Sequence, residues 1–247
     1  MKRWIMGGVL AVAAAALVAQ GSGSGVLGGF VKALNQADGL NSTYTIQKLG
    51  GAPDTYKVSL AKPNKARIET PTQLIVADGT TIVTFDKQAN QYIKRAQTPA
   101  GLRGLFTDDA TSIWAGFFNP EPFKGMNAKA LPDKSRKGIQ FKVVEISAPD
   151  NQDITLTLYV NPADNIARQA EMTVKSGTQA GVRILDTKTL ELKKEADTVF
   201  AFAPPSGAKE VTEAELNSDK WYHDLDEALR VAKATNRLVF IDFGAVW

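Results

Sequence analysis

Lys62 to Arg95 reads KPNKARIETPTQLIVADGTTIVTFDKQANQYIKR. Apolar and polar residues alternate here with a period of two, the spacing that puts one face of a strand on a core. Asp78-Gly79 separates Leu74–Val76 from Ile82–Phe85 and predicts a tight hairpin, because glycine tolerates the positive φ such a turn needs. Lys87 to Asn90 predicts the next turn, and Pro63-Asn64 the one before.

The same habit spreads outward from this stretch. Tyr56, Val58 and Leu60 alternate with Lys57 and Ser59, and Ile154, Leu156, Leu158 and Val160 alternate with Thr155, Thr157 and Tyr159. Ile166 to Val174 and Leu190 to Leu192 continue it, with turn signals at Gly50-Gly51, Pro149 to Asn151, Pro162 to Asn165 and Ser176-Gly177. Many short strands with close turns predict an antiparallel barrel or strongly curved sheet, not βαβ units. Before them, Val26, Leu27, Phe30, Val31 and Leu34 share one face of a short amphipathic helix.

One stretch interrupts the sheet. Pro99 to Leu131 has little alternation but many bulky residues: Leu102, Leu105, Phe106, Ile113, Trp114, Phe117 and Phe118. Thr107 to Asp109 can cap a helix carrying the last four on one face. Such a helix plugs an open sheet, and it can also line a ligand cavity.

Composition removes several function classes. The 247 residues are 44% hydrophobic and 22% charged, ordinary for a folded chain. A net charge of +3 is too small and too evenly spread to predict a nucleic-acid surface. With no cysteine and one histidine, His223, thiolate or multi-histidine metal sites and cysteine nucleophiles are excluded, and a Ser-His-Asp triad is disfavoured. Asp108-Asp109 and the Glu191, Glu195, Asp197 group have no positioned acid-base partner in the sequence and read as cap and surface charges. No cofactor, metal or catalytic residue is predicted.

Both ends read differently from the middle. Lys2 and Arg3 precede a 16-residue apolar run, Trp4 to Ala19, ending Leu17-Val18-Ala19. A basic start, a short apolar core and small residues predict a cleaved signal peptide over residues 1–19 and a periplasmic or otherwise exported location. Gly21 to Gly25 would then form a flexible start.

Two segments carry a resemblance. The Lys62–Arg95 stretch and, downstream, FAFAPPSGA at Phe200–Ala208 together resemble the periplasmic outer-membrane lipoprotein carriers, the LolA-like and LolB-like proteins. That family has a basic residue before Pro-Asn, a strand, a Pro, an Asp-Gly hairpin, an aromatic-Asp turn and a closing Phe-x-Phe-x-Pro-Pro-x-Gly. The resemblance spans about residues 26–210 and implies a mainly β fold: an unclosed antiparallel barrel of about eleven strands around a helical lid. It implies an apolar concave face that binds acyl chains of lipids or lipoproteins, with transient membrane contact. Ile82 and Phe85 from the sheet, with Trp114, Phe117 and Phe118 from the lid, are the candidate lipid-binding residues. Burying hydrocarbon there is worth about 0.8 kcal/mol per CH₂. Lys62 stands where the family has arginine, the residue implied to latch the lid by hydrogen bonds.

After a linker at 211–220 comes WYHDLDEALRVAKATNRLVFIDFGAVW, residues 221–247. Asp224 and Glu227 have capping-box spacing, Leu225, Ala228, Leu229 and Ala232 form a helical stripe, and Leu238 to Phe243 reads as a buried strand. This resembles the start of a thioredoxin-like domain cut just before its Cys-x-x-Cys, with Asp242 matching that family's buried carboxylate. A helix and strand alone cannot bury their apolar faces, so loose docking is expected. Two functions follow: a non-enzymatic, acyl-binding envelope protein, or a fragment of an envelope thiol-disulfide oxidoreductase.

Overall fold

The computed structural model describes residues 10–177, 180–212, 222–235 and 238–241. Lys2 and Arg3, most of the 211–220 linker, and Asp242 lie outside the described residues.

Among the described residues, twelve strands form one sheet. They are β1 (Gly39–Lys48), β2 (Asp54–Ala61), β3 (Lys65–Glu69), β4 (Gln73–Ala77), β5 (Thr81–Asp86), β6 (Gln91–Ala96), β7 (Asn127–Arg136), β8 (Ile139–Ser147), β9 (Ile154–Asn161), β10 (Ile166–Val174), β11 (Gly181–Glu191) and β12 (Lys209–Glu210). Their order is β12-β6-β5-β4-β3-β2-β1-β11-β10-β9-β8-β7, so the sheet does not close. It consists of two antiparallel meanders, β1–β6 and β7–β11, joined along one seam where β1 pairs with β11 from Asn41↔Glu191 to Lys48↔Arg183. The two-residue β12 runs parallel to its neighbour, β6. Between the interruption and the closing motif run five strands, β7 to β11.

The hairpin at Asp78-Gly79 forms as its sequence dictates. Ala77 faces Ile82 across the turn, and Gly79 takes φ +109°. The Asp78 carboxylate accepts hydrogen bonds from Thr80 N and Thr81 N, both at 2.8 Å, and from the Thr80 hydroxyl at 2.9 Å. Burial pushes its pKa up, but the Thr80 and Thr81 donors outweigh that and hold it below the usual aspartate value.

The concave face holds the main core. Leu40, Tyr44, Val58, Leu60, Ile68, Ile82, Val144, Leu158 and Val160 point inward and are buried. Helix α1 (Leu10–Gln36) crosses this face and buries Leu27, Phe30 and Leu34 in it. The glycines of 21–25, expected as a flexible start, belong to this helix. Gly23 explains why: a Cβ there would stand 2.6 Å from Ala128 O and Ala130 N, so a bare backbone lets the helix close onto β7.

The outer face is not simply polar. Phe200 to Ala208 folds back as a strap, and Phe202 packs on Phe85 and Tyr92 with ring centroids 6.2 and 5.1 Å apart. On the other meander, Phe141, Val143 and Tyr159 form a second outer cluster.

At the end, α3 (Leu225–Thr235) forms, with the Asp224 carboxylate capping Glu227 N at 2.8 Å. The strand expected from Leu238 to Phe243 is not formed over Leu238–Ile241, where Leu238 is 100% and Phe240 83% exposed. Leu238–Ile241 does not join the twelve-stranded sheet.

Candidate functional site

The interruption of the sheet is built as a stopper in the concave face. Helix α2 (Pro99–Gly104) starts it, capped by Thr98 Oγ1 accepting from Gly101 N at 2.9 Å. The chain then turns at Asp108, whose carboxylate accepts from Ala110 N (3.0 Å) and Thr111 N (2.8 Å). The α-helix expected after Thr107–Asp109 is a tighter 3₁₀ helix, Ser112–Phe117, with Phe118 at its C-cap. Ile113, Trp114 and Phe117 are buried, and Phe118 is half-buried.

Three fastenings hold the stopper to the sheet. Asp109 pairs with Arg183 of β11 at 2.9 Å. The Tyr44 hydroxyl of β1 donates to Ala110 O at 2.9 Å. Lys62, in the β2–β3 turn, reaches across with its ammonium, which donates to the Phe117 carbonyl. That ammonium also stands 4.8 Å from the Phe117 ring centre and 5.8 Å from that of Phe118. Burial lowers the Lys62 pKa below the ordinary lysine value, and Asp38 offsets part of this.

Inside the stopper the contacts are aromatic and aliphatic. Tyr44 stacks on Tyr56 (5.6 Å, 9° between planes) and tilts against Trp114 (5.9 Å). Phe118 packs on Phe117 at 4.8 Å and Phe106 at 5.6 Å. Burial raises the Tyr44 pKa well above the tyrosine range, with Asp108 and Tyr56 adding to it, so its hydroxyl stays protonated. The Leu34 side chain of α1 lies against Gly116, where a Cβ would come within 3.2 Å of it.

The candidate residues divide. Ile82, Trp114 and Phe117 lie in one buried cluster, with Phe118 packed against it. Phe85 does not join them and is corrected: it lies on the outer face, under Phe202. The reason is elementary, since residues three apart on a strand point to opposite faces. Tyr44 was not among the candidates, although it continues the alternation of Leu40 and Ser42 along β1 and so was open to the same reading. A separate open concavity of about 560 Å³ runs along Ile93–Ala96 of β6 and Glu210–Thr212.

Fold and fastened stopper together define a class: an open antiparallel half-barrel whose concave face is filled by helices of the same chain. No known family profile matches the chain. An uncharacterized protein of Methanocaldococcus jannaschii is 29% identical over 166 residues, 67% of this chain and 45% of that protein. The chain thus spans less than half the length of that curated relative. Among solved structures, an uncharacterized conserved protein from Thermus thermophilus superposes with TM-score 0.51 at 11% identity, over 77% of this chain and 98% of that one. This likeness is one of fold. The Pseudomonas aeruginosa MucA/MucB complex gives TM-score 0.42 at 12% identity (74% and 61% covered). A LolA superfamily protein from Nitrosomonas europaea gives 0.34 at 16% identity (73% and 97% covered). Among the described residues no helix is long and apolar enough to cross a membrane.

Proposed function

We propose that the chain is a non-enzymatic, exported envelope protein that holds acyl chains of a lipid or lipoprotein against its concave face. The stopper over Ser112–Phe117 is the lid and Lys62 its latch. The carrying observation is the Lys62–Phe117 bond: of the three fastenings, it is the one that reaches from a sheet turn to the C-terminal end of a helix whose buried side chains are apolar. The ordered sequence motifs of lipoprotein carriers support the same reading. When the latch opens, Ile82, Trp114, Phe117 and Phe118 present a surface that hydrocarbon can cover. Export rests on the basic and apolar start; cleavage near Ala19 would leave Gln20 to Gln36 of α1, the part that carries Leu27, Phe30 and Leu34. Membrane contact is transient, during loading and release.

The test is direct. Chain purified without detergent is titrated with a fluorescent fatty acid, and an organic extract of it is analysed for lipid. Saturable binding that weakens with Ile82→Asn supports the reading. The absence of both fatty-acid binding and copurifying lipid would sink it.

A further inference from the structure

The β7–β8 hairpin ends the sheet, and its far half stands clear of the barrel: Pro132 to Gln140 are exposed without a break. Residues 127–142 hold five cations, Lys129, Lys134, Arg136, Lys137 and Lys142, against one carboxylate, Asp133. That is a net +4 in a chain whose total is +3, so charge that reads as evenly spread along the sequence is concentrated on this edge. Neighbouring acids answer only part of it. Asp133 pairs with Lys142 at 2.7 Å, Glu171 with Arg136 at 3.6 Å, and Glu145 stands opposite Lys129 in the ladder. Lys134 lies 5.4 Å from the centre of the Tyr159 ring, and among the described residues neither Lys134 nor Lys137 makes an ion pair. At the tip, Lys137 and Gly138 turn the chain with φ +50° and +78°, and Ile139 beside them is 40% exposed. Lysine and proline on an edge strand discourage pairing with another sheet, but that purpose gains nothing from an exposed isoleucine at the tip.

We infer that this hairpin tip is the surface that docks the chain on an anionic phospholipid bilayer, with Lys134 and Lys137 meeting lipid phosphates and Ile139 entering the headgroup layer beside them. This rests on the transient membrane contact proposed above, and gives it a surface and a lipid class. Cations close to an anionic bilayer are attracted within about a Debye length, and an apolar side chain among them adds interfacial burial. The tip projects outward and suits a flat partner; the open concavity lies along β6 and β12, at the other edge of the sheet. Its one aromatic residue, Phe141, is buried, so it offers no ring for stacking nucleic-acid bases.

The full chain is sedimented with vesicles of phosphatidylcholine alone, and with vesicles in which about a third of the lipid is phosphatidylglycerol, at low and high salt. The mixed vesicles should bind it at least about tenfold more tightly at low salt, and the preference should fade at high salt. Lys134→Gln with Lys137→Asn should weaken that binding about tenfold; asparagine tolerates the positive φ at 137. Ile139→Asn should weaken it about threefold. Lys48→Gln with Lys175→Gln removes the same charge from exposed positions outside the hairpin, and should change binding less than about twofold. In the native chain the Gly138 and Ile139 amide resonances should broaden before those of other strands as mixed vesicles are added, which decides the matter where a variant fails to fold. Equal binding to both vesicles, or equal loss from the two double variants, overturns the inference. So does a Lys134→Gln, Lys137→Asn chain that self-associates in light scattering yet keeps its vesicle affinity, since the charges then only guard the edge. The fatty-acid titration is scored separately: saturable acyl binding without vesicle preference removes this inference alone, and vesicle preference without acyl binding removes the acyl reading alone.

Discussion

Lys62 carries a positive charge into a place where its neighbours are rings and a carbonyl. A charge-assisted hydrogen bond of this kind contributes about 1–3 kcal/mol, with the lower end apt for a half-buried lysine. Lys62→Ala is expected to lower stability by about 1 kcal/mol in urea unfolding and to speed fatty-acid uptake several-fold in stopped-flow fluorescence. Lys62→Arg should restore the slower uptake, since a guanidinium still reaches the carbonyl; unchanged uptake in both variants would remove the latch. The position of Lys62 was legible as a motif, but its partner, 55 residues away, was not. Phe85 shows the opposite failure. Its spacing from Ile82 already assigned it to the other face, and only the strap residue Phe202, far along the chain, explains why so large a side chain belongs there.

At the scale of elements, hairpins with strong turn chemistry were the most legible. The β4–β5 turn depends on the ionised Asp78 carboxylate, whose folded pKa lies below its unfolded one. Its contribution is therefore complete above the ordinary aspartate pKa and is lost as pH falls through the lowered folded value. Asp78→Ala should cost no more than about 1 kcal/mol near neutral pH, because the group is exposed, and its difference from the native chain should shrink in urea melts at acid pH. A difference that stays constant with pH would mean the carboxylate charge is irrelevant. Strands β7 and β8 were less legible. Pro132 and the charges Asp133, Lys134 and Arg136 hide an edge strand, and the register shift between Leu131 and Lys134 breaks its alternation. Helix α1 extends further than its amphipathic stripe because its glycines look like a linker in sequence, whereas one of them is what lets the helix approach β7.

For the whole molecule, the barrel and the C-terminal segment part company. Leu225 and Leu229 of α3 are 52% and 48% exposed. Leu225→Ser with Leu229→Ser should leave the barrel's thermal unfolding within about 0.5 kcal/mol of the native chain, and calorimetry checks this; a clear drop would mean that α3 supports the barrel. An antiparallel, curved sheet was legible from alternation and turn spacing, and its openness was what the resemblance to the lipoprotein carriers implied. The way its halves join was not, because no local pattern says that the first strand pairs with the eleventh. That seam orders events during synthesis. While the chain is being made, β1 has β2 on one side and a bare edge on the other until residues 181–191 arrive. The two halves stay separate through most of translation, and the step that unites them closes a loop of well over a hundred residues. Such closure is slow. If the chain is exported unfolded, as proposed above, this delay is useful: the N-terminal half would remain threadable until its distant partner strand has been delivered.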